Sequence, residues 1–200
     1  YREAGTDRLY ENAFAAFPRH WFNREDWSTV GVRAGQQARD TGALLLPEGG
    51  ACQEGFGGAL SLAIDLVLQM EELGAVHEIW IDSGSGFTAQ VLIWGLGTLL
   101  RRPPLVHVVL CAGTPTQFKQ GLEIRRAEAG ASLAVPWQAA PYQCHRPVTA
   151  ASYGSTNRSV WKAIAAYHQQ HGLLLDPIYT AKLMLTLNAY RQDHKKYNPP

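Results

Sequence analysis

Leu105-Val106-His107-Val108-Val109-Leu110 decides the fold, since five of these six residues are aliphatic. Such a run, without polar alternation, suits a strand buried on both faces of a parallel sheet. Upstream, a helix is expected roughly over Ala89–Arg101, with two cations at the end where the helix dipole favours them. Before it, His77–Ile81 reads as a second strand, followed by the loop Ser83-Gly84-Ser85-Gly86-Phe87-Thr88. Further back, Ala43–Leu46 is a short apolar run stopped by Pro47, and it predicts a third strand. Leu60, Ala63, Ile64, Leu66, Val67 and Met70 then predict a helix over Ala59–Leu73, ended by Gly74. Downstream, Gln117–Ala129 is amphipathic and stopped by Gly130. Strands alternating with helices of about 10–15 residues imply βαβ units and an α/β fold with a parallel sheet.

Beyond this core the pattern loosens. Pro136, Pro141 and Pro147 punctuate an irregular region from Ala131 to Ser152. Two helices finish the chain. One spans Asn157–Gln170, and the other starts at Asp176-Pro177, an N-cap residue followed by a first-turn proline. No internal repeat is visible.

With 200 residues, 46% of them hydrophobic, the chain can bury a real core and is not disordered. Eighteen Lys and Arg against seventeen Asp and Glu leave a net charge of +1, so no basic face for nucleic acid is implied. The charge-free stretch Ser83–Leu100 carries four glycines, which makes it a buried element, not a bilayer span. Three well-separated cysteines, Cys52, Cys111 and Cys144, fit a reduced, cytoplasmic protein. Residues 1–30 show no charged n-region followed by an apolar run, so secretion is not expected from them. It begins on Tyr1 without Met and closes on Asn198-Pro199-Pro200, which reads as a piece of something longer.

The loop Gly84–Thr88 follows a strand and opens a helix. There, glycines let several N–H groups converge on one anion, with Ser85 and Thr88 as hydroxyl donors. A plain βα turn is the alternative. The loop lacks the Gly-Lys-Ser/Thr of a Walker A motif, the third glycine of GxGxxG and the first glycine of GxSxG. Tyr179, in the first turn of the last helix, would feel a field that lowers its pKa, and Tyr153 lies beside Gly154. On spacing alone, two ordinary half-buried tyrosines is the plainer reading. His168 and His171 stand three apart on a helix without a matching carboxylate or thiol, so a solvated face is the plain reading. Cys52 lies in a glycine-rich loop with no adjacent base and reads as packing. Gln192–Lys196 reads as a polar helix end.

Four segments occur in a familiar order: Leu45-Leu46-Pro47-Glu48-Gly49-Gly50, Gly84-Ser85-Gly86-Phe87-Thr88, Ser152-Tyr153-Gly154 and Leu174-Leu175-Asp176-Pro177-Ile178-Tyr179-Thr180-Ala181-Lys182. Over roughly Leu44–Tyr190 the chain resembles the 1-aminocyclopropane-1-carboxylate (ACC) deaminase / D-cysteine desulfhydrase family of pyridoxal-phosphate enzymes. The resemblance implies fold type II, like the tryptophan synthase β-subunit: a three-layer, open, mostly parallel sheet with flanking helices, here incomplete at both ends. It implies that residues 1–43 end a small domain and linker, and that 44–200 form the large cofactor-binding domain.

The resemblance also assigns roles. Gly84, Ser85, Gly86, Phe87, Thr88 and Thr180 would bind pyridoxal 5′-phosphate, and Tyr179 and Tyr153 would be the active-site tyrosines. Thr180, where the deaminases carry Glu, points to β-elimination from a small amino acid such as D-cysteine, giving pyruvate and ammonia. A cytoplasmic homodimer is implied, with neither nucleic acid nor membrane as partner. The chain departs from the family in places. Phe87 replaces a glycine and adds bulk beside the phosphate loop, Cys52 stands for Asn, Ala181 for Gly, and Gln90-Val91 for a small pair. The family's cofactor lysine and Ser-Asn-His segment would lie upstream, and its His-Thr-Gly-Gly segment downstream. None of the five lysines, Lys119, Lys162, Lys182, Lys195 and Lys196, stands in the cofactor lysine's context. The chain therefore reads as the C-terminal two-thirds of such an enzyme. The alternative is a non-catalytic relative or fragment, without that lysine, that binds a phosphorylated ligand or a partner.

Overall fold

The computed structural model describes residues 22–132 and 134–197. The part of the expected small domain that falls on residues 1–21 lies outside the described residues, as does the terminal Asn198-Pro199-Pro200. The chain divides into two compact units, Tyr1–Pro47 and Glu48–Pro200.

In the first unit a 3-10 turn, Arg24–Thr29, leads into helix α1, Val30–Thr41. Gly42 ends α1 at φ 67°, and its N–H donates to the carbonyls of Ala38 and Arg39. The Arg33 guanidinium lies 5.6 Å over the Phe22 ring and 3.5 Å from the Asp26 carboxylate. Ala43–Leu46, expected as a strand, joins no sheet ladder among the described residues. Leu44 is 85% exposed and Leu46 74%. An apolar run becomes a strand only where its backbone finds a ladder partner.

The second unit runs in the order α2 (Phe56–Leu73), β1 (Glu78–Ser83), α3 (Phe87–Leu99), β2 (Leu105–Leu110), α4 (Pro115–Ser132), β3 (Tyr142–His145), α5 (Arg158–His171) and α6 (Thr180–Tyr197). The strands form one parallel sheet in the order β1-β2-β3, with Trp80 opposite His107 and Val109 opposite His145. The α/β class and the parallel sheet are as the sequence implies. The decisive strand begins and ends at the expected residues, Leu105 and Leu110.

Several boundaries differ. Helix α2 starts at Phe56, so Gly57 and Gly58 lie inside it and not in a loop. Helix α3 starts at Phe87 and ends at Leu99, which leaves Arg101 and Arg102 past its C-terminus and not on its last turn. Helix α4 runs through Gly130 to Ser132. Strand β3 lies in the stretch expected to be irregular. Helix α4 opens with a capping box: the Thr114 N–H donates to Gln117 Oε1 (2.9 Å) and the Gln117 N–H to Thr114 Oγ1 (3.2 Å).

Strand alternation gives the sheet two unlike faces. Val106, Val108 and Leu110 pack with Leu92, Ile93 and Leu96 of α3 in one apolar cluster. Helix α3 is buried nearly all round, and each large aliphatic there contributes about 1.5–3 kcal/mol. Close approach needs small residues. A Cβ on Gly95 would stand 2.5 Å from Ala63 of α2, and one on Gly97 would strike the backbone of residues 138–140. On the opposite face, Trp80 and His107 stack with centroids 4.2 Å apart, and Tyr190 of α6 meets both. His107 Nδ1 and His145 Nε2 share a hydrogen bond of 2.8 Å. The face under α6 is therefore polar and aromatic where the face under α3 is aliphatic.

Candidate active site

Strand β1 delivers Asp82 and Ser83 to the carboxyl edge of the sheet, where open α/β sheets bind ligands. Gly84 and Ser85 turn the chain, and Gly86 enters α3 at φ 91°, a conformation L side chains avoid. The Gln90 side chain folds back beneath it, with Nε2 donating to the Phe118 carbonyl at 3.1 Å. A Cβ on Gly86 would lie 2.7 Å from that nitrogen. The first amides of α3 thus open toward a cavity with no side chain capping them, save a long 3.5 Å contact from the Phe87 N–H to Ser85 Oγ. The bulk of Phe87 does not obstruct the loop, because its ring is buried with Phe56, Val91 and Ala129.

Asp176 builds the other wall. Its carboxylate accepts the N–H groups of Ile178 (2.8 Å), Tyr179 (2.8 Å) and Thr180 (2.9 Å) and the Thr180 hydroxyl (2.6 Å). Burial pushes this carboxyl up, but the four hydrogen bonds outweigh it and hold it below its ordinary value. The cap fixes the Pro177–Tyr179 turn just ahead of α6 and brings the Tyr179 phenol over Gly84. A Cβ on Gly84 would stand 2.9 Å from the phenol oxygen. The Tyr179 hydroxyl donates to the Tyr153 hydroxyl at 3.4 Å, with the rings 6.2 Å apart. Tyr153 stands on the turn 150–154, where Ala150 holds φ 49° and Gly154 φ 72°.

These groups enclose one cavity of about 430 Å³, lined by Gly84, Ser85, Gly86, Phe87, Thr88, Tyr153 and Tyr179 together with Glu48, Gly49 and Asp82. Seven of the eight residues assigned by resemblance are therefore brought together. Thr180 is not among the lining residues, and its hydroxyl is engaged by Asp176. The Tyr179 phenol is not lowered by the helix field, as the sequence suggests, but raised. Burial dominates, followed by the Tyr153 hydroxyl and then the charges of Cys111 and Asp82. Tyr179 is thus a neutral proton donor at neutral pH, not a phenolate.

Three residues escape sequence reasoning. Asp82 lines the cavity, and its carboxyl is raised by burial and by Asp176. Cys111 is buried and pushed up to about 11, first by burial and then by Asp82. Lys182 is wholly buried (0% exposed), with Nζ donating to the Ser152 carbonyl at 3.1 Å. The one available signal for Lys182 is its i+3 spacing from Tyr179, which puts both on one helical face.

Other candidates stand apart. His168 and His171 are exposed at the end of α5, and no cluster of three metal-ligating side chains occurs among the described residues. Cys52, Cys111 and Cys144 are free thiols. No described helix is long and apolar enough to cross a membrane. Lys119 and Lys162 are exposed and Lys182 lies outside the lining, so no described lysine faces the cavity. The side chains of Lys195 and Lys196 lie outside the described residues.

A fit to pyridoxal phosphate rests on these donors and glycines. The open amides of α3, the Ser85 and Thr88 hydroxyls and the absent Cβ atoms of Gly84 and Gly86 fit a phosphate. No amine for the aldehyde comes from the described lining.

No protein-family model matches the chain. Among curated proteins it is 32% identical over 144 residues to a D-cysteine desulfhydrase of Serratia proteamaculans, and 29% identical over 143 residues to those of Salmonella typhi and Klebsiella pneumoniae. Each match covers 72% of this chain and 43% of the relative, so the chain spans less than half the length of the curated relatives it matches. Among solved structures, an ACC deaminase homologue superposes with a TM-score of 0.71 at 21% identity, covering 94% of this chain and 57% of that one. That likeness establishes the shared fold.

Proposed function

We propose that this chain, a relative of the D-cysteine desulfhydrases with the fold of an ACC deaminase homologue, supplies the phosphate cradle and tyrosine pair of a pyridoxal-phosphate lyase. The reaction we infer is β-elimination from a small amino acid such as D-cysteine, which with water gives sulfide, pyruvate and ammonia. One observation carries this reading. The Tyr179 phenol stands over Gly84 at the open N-terminus of α3, with Tyr153 in hydrogen-bond reach.

The open amides of α3 and the hydroxyls of Ser85 and Thr88 would hold the phosphate, with Gly84 and Gly86 giving it backbone access. Pyridoxal phosphate, when bound, supplies the electron sink for loss of the α-proton and β-substituent. Tyr179 holds its proton at Oη and can give it to the leaving sulfur, and Tyr153 orients that hydroxyl. Thr180 acts indirectly by completing the Asp176 cap that fixes Tyr179. The Thr at this position supports β-elimination over ring opening, as the resemblance has it. Residues 44–200 form the cofactor-binding domain on this reading, in a cytoplasmic homodimer. The free thiols support a reducing compartment.

A second reading has one observation behind it. Since no described lysine faces the cavity, the chain can hold a phosphorylated ligand without covalent attachment.

Pyridoxal phosphate, then borohydride, then intact mass separates the two readings. The lyase reading expects, in the full-length protein, one reduced pyridoxyl adduct on a lysine outside the described cavity lining, with D-cysteine-dependent release of sulfide and pyruvate. Binding without an adduct favours the second reading. No binding at all overturns both.

A further inference from the structure

Lys182 is a puzzle on packing grounds alone. A wholly buried ammonium is costly, and an aliphatic side chain of similar length would fill the same volume without that cost. Its one hydrogen bond goes to the Ser152 carbonyl at 3.1 Å. Burial pulls its pKa down, while the nearby Cys111 and Asp176 favour its charge.

The turn it grips is tied from several sides. From β3's end, Arg146 donates to the Ala151 carbonyl at 3.2 Å and to the Gly113 carbonyl at 2.7 Å. The Ser155 hydroxyl lies against the Ala150 and Ser152 carbonyls at 2.7 Å and 2.6 Å. Ala150, a residue with a Cβ, is held at φ 49°, a conformation that persists only where its surroundings enforce it. This effort is spent on a turn whose tip, Tyr153, is 63% exposed and makes no contribution to the apolar core. Its ring instead faces Tyr179 across the cavity.

We propose that Lys182 is a positioning residue for Tyr153: through the Ser152 carbonyl, its buried ammonium sets the turn that holds the Tyr153 hydroxyl against Tyr179. The inference rests on the cavity being the ligand site proposed above. Tyr179 and Lys182 share one face of the helix start, so one element fixes one phenol directly and the other through the turn. Asp176, which caps that element, also favours the charge on Lys182, so one carboxylate biases both arms.

The test uses the 200-residue chain labelled with 3-fluorotyrosine, with the Tyr153 fluorine resonance assigned through Tyr153→Phe. In Lys182→Met the Tyr153 resonance should move to the position of a free, solvated fluorotyrosine. Amide exchange at 150–154 should rise roughly tenfold while α3 keeps its protection. Lys182→Gln, which retains a donor for the Ser152 carbonyl, should restore most of both signals. An unmoved Tyr153 resonance in Lys182→Met overturns the proposal. So does exchange that rises equally in α3 and the sheet, since that marks a merely structural role. If Lys182→Met does not fold, the wild-type chain decides. A slowly exchanging Lys182 ammonium signal with cross-peaks to the Tyr153 amide supports the proposal, and its absence overturns it. Pyridoxal phosphate titrated into the wild-type chain separates the two levels. If it does not bind while Tyr153 still responds to Lys182→Met, the ligand reading fails and the positioning role stands.

Discussion

The Tyr179 phenol oxygen lies so close over Gly84 that a Cβ there would stand 2.9 Å from it, with the ring carbons next nearest at 3.1 and 3.3 Å. The Asp176 cap fixes the Tyr179 backbone, so relief requires the ring itself to swing away from Gly84. Gly84→Ala should therefore displace Tyr179, weaken pyridoxal phosphate binding roughly tenfold, and cost about 1–3 kcal/mol of stability. Gly57→Ala is the control. It lies in α2 with open space around its Cβ, so it should raise stability by about 0.5–1 kcal/mol and leave binding unchanged. Fluorescence titration and thermal unfolding measure both effects.

Asp176→Asn should lower stability by about 1 kcal/mol, since an amide accepts the cap hydrogen bonds less well than a carboxylate. The pH dependence has a definite sign. A carboxyl held below its ordinary value stabilises above the unfolded-state pKa and loses that contribution as pH falls through the folded one. The gap between wild type and Asp176→Asn in urea unfolding should accordingly be full at neutral pH and close in acid.

Asp82 behaves in the opposite way. Burial and Asp176 raise its carboxyl, so its contribution is fully present below the unfolded-state pKa and is lost as pH rises through the folded one. Asp82→Asn should therefore be more stable than wild type at neutral pH, and the advantage should vanish below the ordinary carboxylate range. Equal pH profiles for the two proteins would show that Asp82 is not desolvated at the cavity wall.

The His107–His145 pair under α6 gives a third titration. Burial and the neighbouring His107 lower His145, which thus favours its neutral form in the fold. Stability from this group is present above the ordinary imidazole value of about 6.5 and is lost as pH falls through the lower folded value. Guanidinium midpoints should decline over that window in wild type and less in His145→Gln.

The parallel-sheet class was legible because β2 is almost wholly aliphatic and helix-length segments alternate with the strands. Strand β3 was not, since Tyr142-Gln143-Cys144-His145 is short, flanked by Pro141 and Pro147, and half polar. Its polar half faces α6, where the core itself is polar. Ala43–Leu46 failed in the reverse way: composition said strand, but strands are made by partners. At the cavity, Gly84–Thr88 and Tyr179 announce themselves through a strand–loop–helix junction and an Asp-Pro cap. Asp82 and Lys182 do not, because a charge in sequence reads as solvated. Burial places both within the fold, and burial depends on contacts distant in the chain.

If the open N-terminus of α3 beneath Tyr179 is a phosphate site, the affinity ratio of pyridoxal phosphate to pyridoxal reads it out. Measured by fluorescence titration on the wild-type chain, pyridoxal phosphate should bind at least roughly tenfold more tightly, about 1.4 kcal/mol, with the difference lost in Gly86→Ala. Equal affinity for the two aldehydes, or a preference that survives Gly86→Ala, would contradict it.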